Sequence, residues 1–247
     1  MSCVDAESPA TMAHSAFARR IAAAFAILLT LAACSGTFAG RVREQVHRTV
    51  AAGAAPAVEI ENVAGAVRVD GWPKPTVDVE ATKYGYDAVE LRSVAIDVTR
   101  EAGGVSIVTH YGNDVHGGGV RYRISVPLGA SLRITNDAGA VDLAGVHGDL
   151  TVRTEAGEIT ADAGRVDGNR SIDLRATTGA VTLNIGQGSN ATVQAYSTVG
   201  DFASNVPGVT QTREHIVGAR GNGTIGTGSA RIRLEATTGA IALRQRP

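Results

Sequence analysis

Two alternating apolar pairs on either side of a glycine recur along the chain about every twenty residues. Val58 and Ile60 precede Gly65, and Val67 and Val69 follow it. The same frame fits Leu132, Ile134, Gly139, Val141 and Leu143, then Leu150, Val152, Gly157, Ile159 and Ala161, then Ile172, Leu174, Gly179, Val181 and Leu183. It returns at Val193, Ala195, Gly200 and Phe202, and at Ile232, Leu234, Gly239, Ile241 and Leu243. Residues two apart share one face of a strand, so each half of the frame predicts a short strand with a dry and a wet side. Units of this length cannot bury their own apolar face alone and must stack. The pattern predicts an all-β protein, a β-solenoid of the parallel β-helix kind. Leu132, Leu150, Ile172 and Val193 should form one interior ladder, and Val141, Ile159, Val181 and Phe202 another. Gly65, Gly139, Gly157, Gly179, Gly200 and Gly239 fall between strand signals and are expected as structural turn residues. Left-handed backbone there costs a residue with a side chain about 1–2 kcal/mol and glycine almost nothing.

Residues 70–128 break the frame. Thr76 to Ala81, Val94 to Val98, Val105 to Ile107 and Val120 to Val126 alternate over longer runs, which predicts an antiparallel insertion joined by turns at Gly103-Gly104 and Gly117-Gly118-Gly119. Tyr86 to Arg92 is the clearest helical stretch and is too short to stand alone. Trp72-Pro73, at a strand end, reads as a packing cap over the open first coil. Between Gly200 and Gly239 the frame lapses, with a strand signal over Arg213 to Val217 and a glycine-rich run from Gly221 to Gly228, consistent with one degenerate coil.

The N-terminus carries an address. Arg19-Arg20 precedes an apolar run from Ile21 to Leu31, too short to span a bilayer core of about 30 Å as a helix. The run ends in Leu31-Ala32-Ala33-Cys34-Ser35, which resembles a bacterial lipoprotein box. Residues 1–33 are therefore expected as a lipoprotein signal peptide, Cys34 as the lipidated residue, 34–55 as a tether with a strand near Gln45 to Val50, and 56–247 as the folded domain. An ordinary secretory peptide cut near the same place is the alternative. The implied location is the bacterial cell envelope, with the outer membrane favoured by Ser35 where a host sorts by that residue. Cys3 would leave with the leader and Cys34 would carry lipid, so neither offers a thiol for a disulfide, metal or nucleophile.

The residues Ile60 to Val67, Asp70-Gly71-Trp72, and Ile124-Ser125-Val126-Pro127-Leu128-Gly129-Ala130, with the serial repeats from about Val46 to Leu243, resemble the bacterial putative-adhesin family of β-strand-repeat proteins, a domain family without an assigned function. The resemblance implies an exported β-solenoid. That family favours Asn or Ser three residues before the glycine. Asn62, Asn136 and Ser197 match it, while Thr154, Ala176 and Ala236 depart.

Composition narrows the chemistry. Aromatic residues make up 4% of the chain while glycines number 30, which suits thin stacked layers better than a thick interior. The formal net charge of -1 argues against nucleic acid, whose phosphates require excess Lys and Arg. Asp137 and Glu155 hold the same place in successive repeats and are the one pair that suggests polysaccharide cleavage; a solvated rim is the simpler reading. His110, Asp114 and His116 lie beside a glycine-rich loop without fixed ligand geometry, so neither metal nor cofactor is expected. His47, His147 and His215 show no partner in the sequence. The expectation is a non-enzymatic structural or adhesion module, bound to the membrane through Cys34 and to an unidentified protein or glycan. A carbohydrate-active enzyme on the same scaffold and an envelope-stress accessory protein are the alternatives.

Overall fold

Alternation of buried and exposed residues runs through almost every strand of the protein. A computed structural model describes residues 42–113, 115, 117–214 and 217–246. The leader, Cys34, Asp114, His116 and His215 lie outside the described residues.

Chain order begins with β1 (Val42–Ala51), β2 (Ala57–Ala64), β3 (Val67–Trp72) and β4 (Thr76–Gly85), then the short helix α1 (Ala88–Arg92). It continues through β5 (Val94–Glu101), β6 (Gly104–Tyr111), β7 (Gly119–Pro127), β8 (Ser131–Ala138), β9 (Val141–Ala144), β10 (Leu150–Ala156) and β11 (Ile159–Asp162). The last elements are β12 (Ser171–Thr178), β13 (Val181–Gly186), β14 (Ala191–Val199), β15 (Phe202–Ser204), β16 (Val209–Glu214), β17 (Gly218–Ile225), β18 (Ala230–Thr238) and β19 (Ile241–Arg246). Asp87 caps the helix, accepting hydrogen bonds from the N–H groups of Val89 and Glu90. Among the described residues no helix is long and apolar enough to cross a membrane.

The strands form two sheets that share one core. One runs β1-β4-β7-β3-β9-β11-β13-β19-β15 and the other β16-β17-β14-β18-β12-β10-β8-β2-β6-β5. The pairs β6–β7, β2–β3, β8–β9, β10–β11, β12–β13, β18–β19 and β14–β15 occupy matching places in the two sheets, so they stack as seven two-strand rungs joined by parallel ladders. Val105, Val58, Leu132, Leu150, Ile172, Ile232 and Val193 follow one another across the second sheet, all buried. Burying each such side chain contributes about 1.5–3 kcal/mol.

Stacking order departs from chain order at both ends. The expected ladder from Ile172 to Val193 is interrupted by Ile232, and that from Val181 to Phe202 by Ile241. The C-terminal repeat is wedged between its two predecessors. Residues 70–128 are antiparallel only in part: β4 pairs antiparallel with β1 and β7, and β5 with β6, but β6 and β7 add a parallel rung beside β2 and β3. The stretch after Gly200 holds no degenerate coil; β16 and β17 form an antiparallel hairpin that covers β14. Trp72 belongs to the second rung and donates its indole N–H to the Thr76 carbonyl at 2.8 Å, fastening the turn between β3 and β4. The open end is covered instead by β1, β4 and β5. Ten residues of the segment expected as a tether form β1. Edge strands are short, as in β15, or carry charges, as in β1 and β5, which discourages edge-to-edge pairing.

Candidate functional site

The corners set the spacing of the residues on the outer faces. Gly65, Gly139, Gly179, Gly200 and Gly239 have φ between +122° and +150°. Gly157 is not in that left-handed region, yet a Cβ there would overlap the Gly139 carbonyl oxygen. The same overlap arises at Gly179 with Gly157, at Gly239 with Gly179, and at Gly200 with Gly239. Each N–H meanwhile donates to the next rung, Gly139 to Ala156, Gly157 to Thr178 and Gly179 to Thr238, at 2.8–2.9 Å. Close backbone approach requires glycine here as much as dihedral angle does.

Inside that corner lies a buried polar chain. Thr109 Oγ1 and the Tyr122 hydroxyl lie 2.6 Å apart, Thr109 donates to Asn62 Oδ1, and Asn62 Nδ2 donates to Asn136 Oδ1 at 2.8 Å. Asn136 Nδ2 reaches the Gly139 carbonyl at 2.9 Å, and Ser197 Oγ the Gly239 carbonyl at 2.9 Å. Burial pushes the Tyr122 hydroxyl up to about 12, against the opposing hydrogen bond to Thr109. The next position in line is Thr154, whose buried Oγ1 has no partner among the described residues. Arg170, also buried, fastens the opposite turns by donating to the carbonyls of Gly148, Ala163 and Val146 at 2.6–2.8 Å. Burial lowers its pKa while Asp149 and Asp167 oppose that shift.

Outward residues form rows across the sheets. On the second sheet Glu61, Thr135, Arg153, Arg175, Glu235, Tyr196 and Arg220 lie side by side on successive strands. Arg175 is held by Asp173 in two bonds of 2.7 Å and by Glu235 at 3.1 Å. Asp137 and Glu155 are exposed and line one cleft of about 350 Å³ with Arg153, Arg175, Thr177 and Glu235. The structure thus brings the two acids into one cleft beside the charged row.

On the first sheet β1, β4, β7, β3 and β9 present Arg43, Gln45, Thr82, Glu80, Arg121, Arg123, Arg68 and Asp142 around a cleft of about 450 Å³. Arg68 is bonded to Asp70, which raises its pKa. Beside the cleft, His47 Nε2 lies 2.9 Å from Asp78 Oδ1, so His47 does have a partner, and Thr49 donates to the same oxygen at 2.6 Å. Burial would raise the Asp78 pKa, but these hydrogen bonds outweigh it and hold the carboxyl below its usual range. Ligand atoms of His47, Asp78 and Glu80 lie within 4.8 Å of one another, a grouping that can receive a cation. His110 pairs with Asp97 at 3.2 Å, while Asp114 and His116, which stand near it in the sequence, are outside the described residues.

One solved structure shares this architecture, at a TM-score of 0.60. This crystal structure, of a putative cell adhesion protein from Clostridium sporogenes, is 13% identical, with the match covering 83% of this chain and 100% of that one. A putative adhesin from Bacteroides fragilis is 12% identical over 82% of this chain and 97% of that one, at a TM-score of 0.27. A third, a putative adhesin from Parabacteroides merdae, is 10% identical over 84% and 98%, at a TM-score of 0.26. None of the curated proteins compared matches the chain. Residues 125–244, from β7 to β19, match the family model described as Toastrack DUF4097, and over that span the chain is similar to this family.

Proposed function

We propose that the protein is a β-solenoid lipoprotein of the bacterial cell envelope, exported by residues 1–33, anchored by lipid at Cys34, and working as a non-enzymatic adhesion or structural module. The observation that carries this reading is the pair of outer sheet faces, on which charged and polar side chains stand in rows across stacked strands. A rigid sheet of this kind suits attachment to an extended partner. The likeness to a protein described as a cell adhesion protein supports it, as does the leader pattern ending in Leu31-Ala32-Ala33-Cys34. With β1 beginning at Val42, the tether in this reading is residues 35–41, and Ser35 favours the outer membrane.

The test pairs address with activity. Cys34→Ala should abolish acyl labelling and move the protein out of the membrane fraction; equal labelling would refute the anchor. Asp137→Asn combined with Glu155→Gln should leave attachment nearly intact, because exposed carboxylates contribute only about a few tenths of a kcal/mol each. Release of reducing ends from envelope polysaccharides by the wild type, lost in the double variant by about two orders of magnitude, would favour a glycan-cleaving enzyme instead.

A further inference from the structure

The cleft on the first sheet collects four guanidinium groups from three strands: Arg43 on β1, Arg68 on β3, and Arg121 and Arg123 on β7. Arg123 and Arg68 are directly opposed on neighbouring strands, and like charges so placed repel. Arg121 stands two residues along the same face. Arg43, Arg121 and Arg123 make no ion pair among the described residues, although Glu80 lies opposite Arg123 and Asp142 opposite Arg68. Three exposed guanidiniums therefore point into one concavity with their fork of donors unused. An oxyanion would satisfy them and relieve their repulsion, since guanidinium groups match carboxylate and phosphate in paired hydrogen bonds.

The remaining lining says what carries the oxyanion. Gln45 and Thr82 add an amide and a hydroxyl to the same cleft, and the carboxylates of Glu80 and Asp142 can accept hydrogen bonds from hydroxyl groups. Those two acids disfavour a uniformly anionic surface such as a membrane or a nucleic acid. A ligand with both acidic groups and hydroxyls suits them. The volume of about 450 Å³ lies in the range of small-ligand sites and accommodates a few sugar units. We propose that this cleft binds an acidic saccharide, holding its carboxylate or phosphate groups with Arg121, Arg123, Arg68 and Arg43. The proposal rests on the adhesion reading and names the partner for it.

Calorimetric titration of the full chain with tetragalacturonate tests the proposal, with maltotetraose as the neutral sugar and glycerol phosphate as the soluble stand-in for a lipid headgroup. Tetragalacturonate should bind, more weakly as salt is raised, and Arg121→Gln with Arg123→Gln should weaken it by at least about thirtyfold. Arg153→Gln, on the other sheet, should bind as the wild type does, and all variants should keep the wild-type urea midpoint. Absence of tetragalacturonate binding, equal binding by the Arg121/Arg123 variant, or equal affinity for either control ligand would overturn the proposal. Surface attachment of cells, assayed alongside, separates the two readings. Protein-dependent attachment by a chain that ignores tetragalacturonate overturns this assignment alone, whereas saccharide binding without any attachment overturns the adhesion reading and leaves the cleft standing.

Discussion

Replacing Gly179 by alanine separates two reasons for glycine at the corners. The residue has φ +146°, where strain in a residue with a side chain costs about 1–3 kcal/mol. A Cβ would also overlap the Gly157 carbonyl oxygen of the neighbouring rung, so the two rungs must part locally. Parting them weakens the hydrogen bond from the Gly157 N–H to the Thr178 carbonyl, now 2.9 Å, worth about 0.5–1.5 kcal/mol. Together these give a loss of about 1.5–4.5 kcal/mol. Gly168 is the control: its φ is +64° and a Cβ there meets nothing within 4 Å, so Gly168→Ala should cost only about 1–2 kcal/mol. Urea unfolding followed by circular dichroism reads both variants, and the midpoint of Gly179→Ala should fall clearly below that of Gly168→Ala. Equal midpoints would show that dihedral strain alone selects glycine and that the rung contact contributes nothing.

Thr154→Val should raise stability by about 1 kcal/mol, because it removes a buried hydroxyl without a partner while keeping side-chain shape; a lower urea midpoint would show that the hydroxyl is satisfied. Arg170→Met should lower stability by about 3–5 kcal/mol, since it strips charged donors from the carbonyls of Gly148, Ala163 and Val146. A thermal midpoint within a degree or two of wild type would refute that role.

What the sequence discloses follows from what alternation can encode. Period-two patterning says which side of a strand faces the core, so Leu132, Leu150 and Ile172 were legible as one buried set, and a glycine stood between the strand signals of each repeat. Alternation does not say which strand lies beside which. Ile232 stands between Ile172 and Val193 although it is the last of the three in the chain, and its alternation pattern is the same as theirs. The rung of β6 and β7 escaped the frame for a different reason: its strands are joined by residues 112–118 rather than by a single corner glycine. The arginine cleft was out of reach for a third. Arg43 and Arg123 are 80 positions apart, and only the registers of β1 on β4 and β4 on β7 bring them onto one face. His47 and Asp78 met in the same way.

The wedged C-terminal rung has a consequence for how the molecule is made. Synthesis runs from the N-terminus, so β14 and β15 leave the ribosome before β18 and β19, which must then enter between β12–β13 and β14–β15. A simple array can add each unit to the last as it emerges; this one must hold a berth open for its final segment, or expel a provisional pairing of β12 with β14 to admit it. Such late, long-range closure is slow compared with local pairing. It also means that the array cannot be shortened from its C-terminal end by one unit: a chain stopped before Ala230 loses an interior layer, and its outermost strands are left without the surface they were shaped to meet.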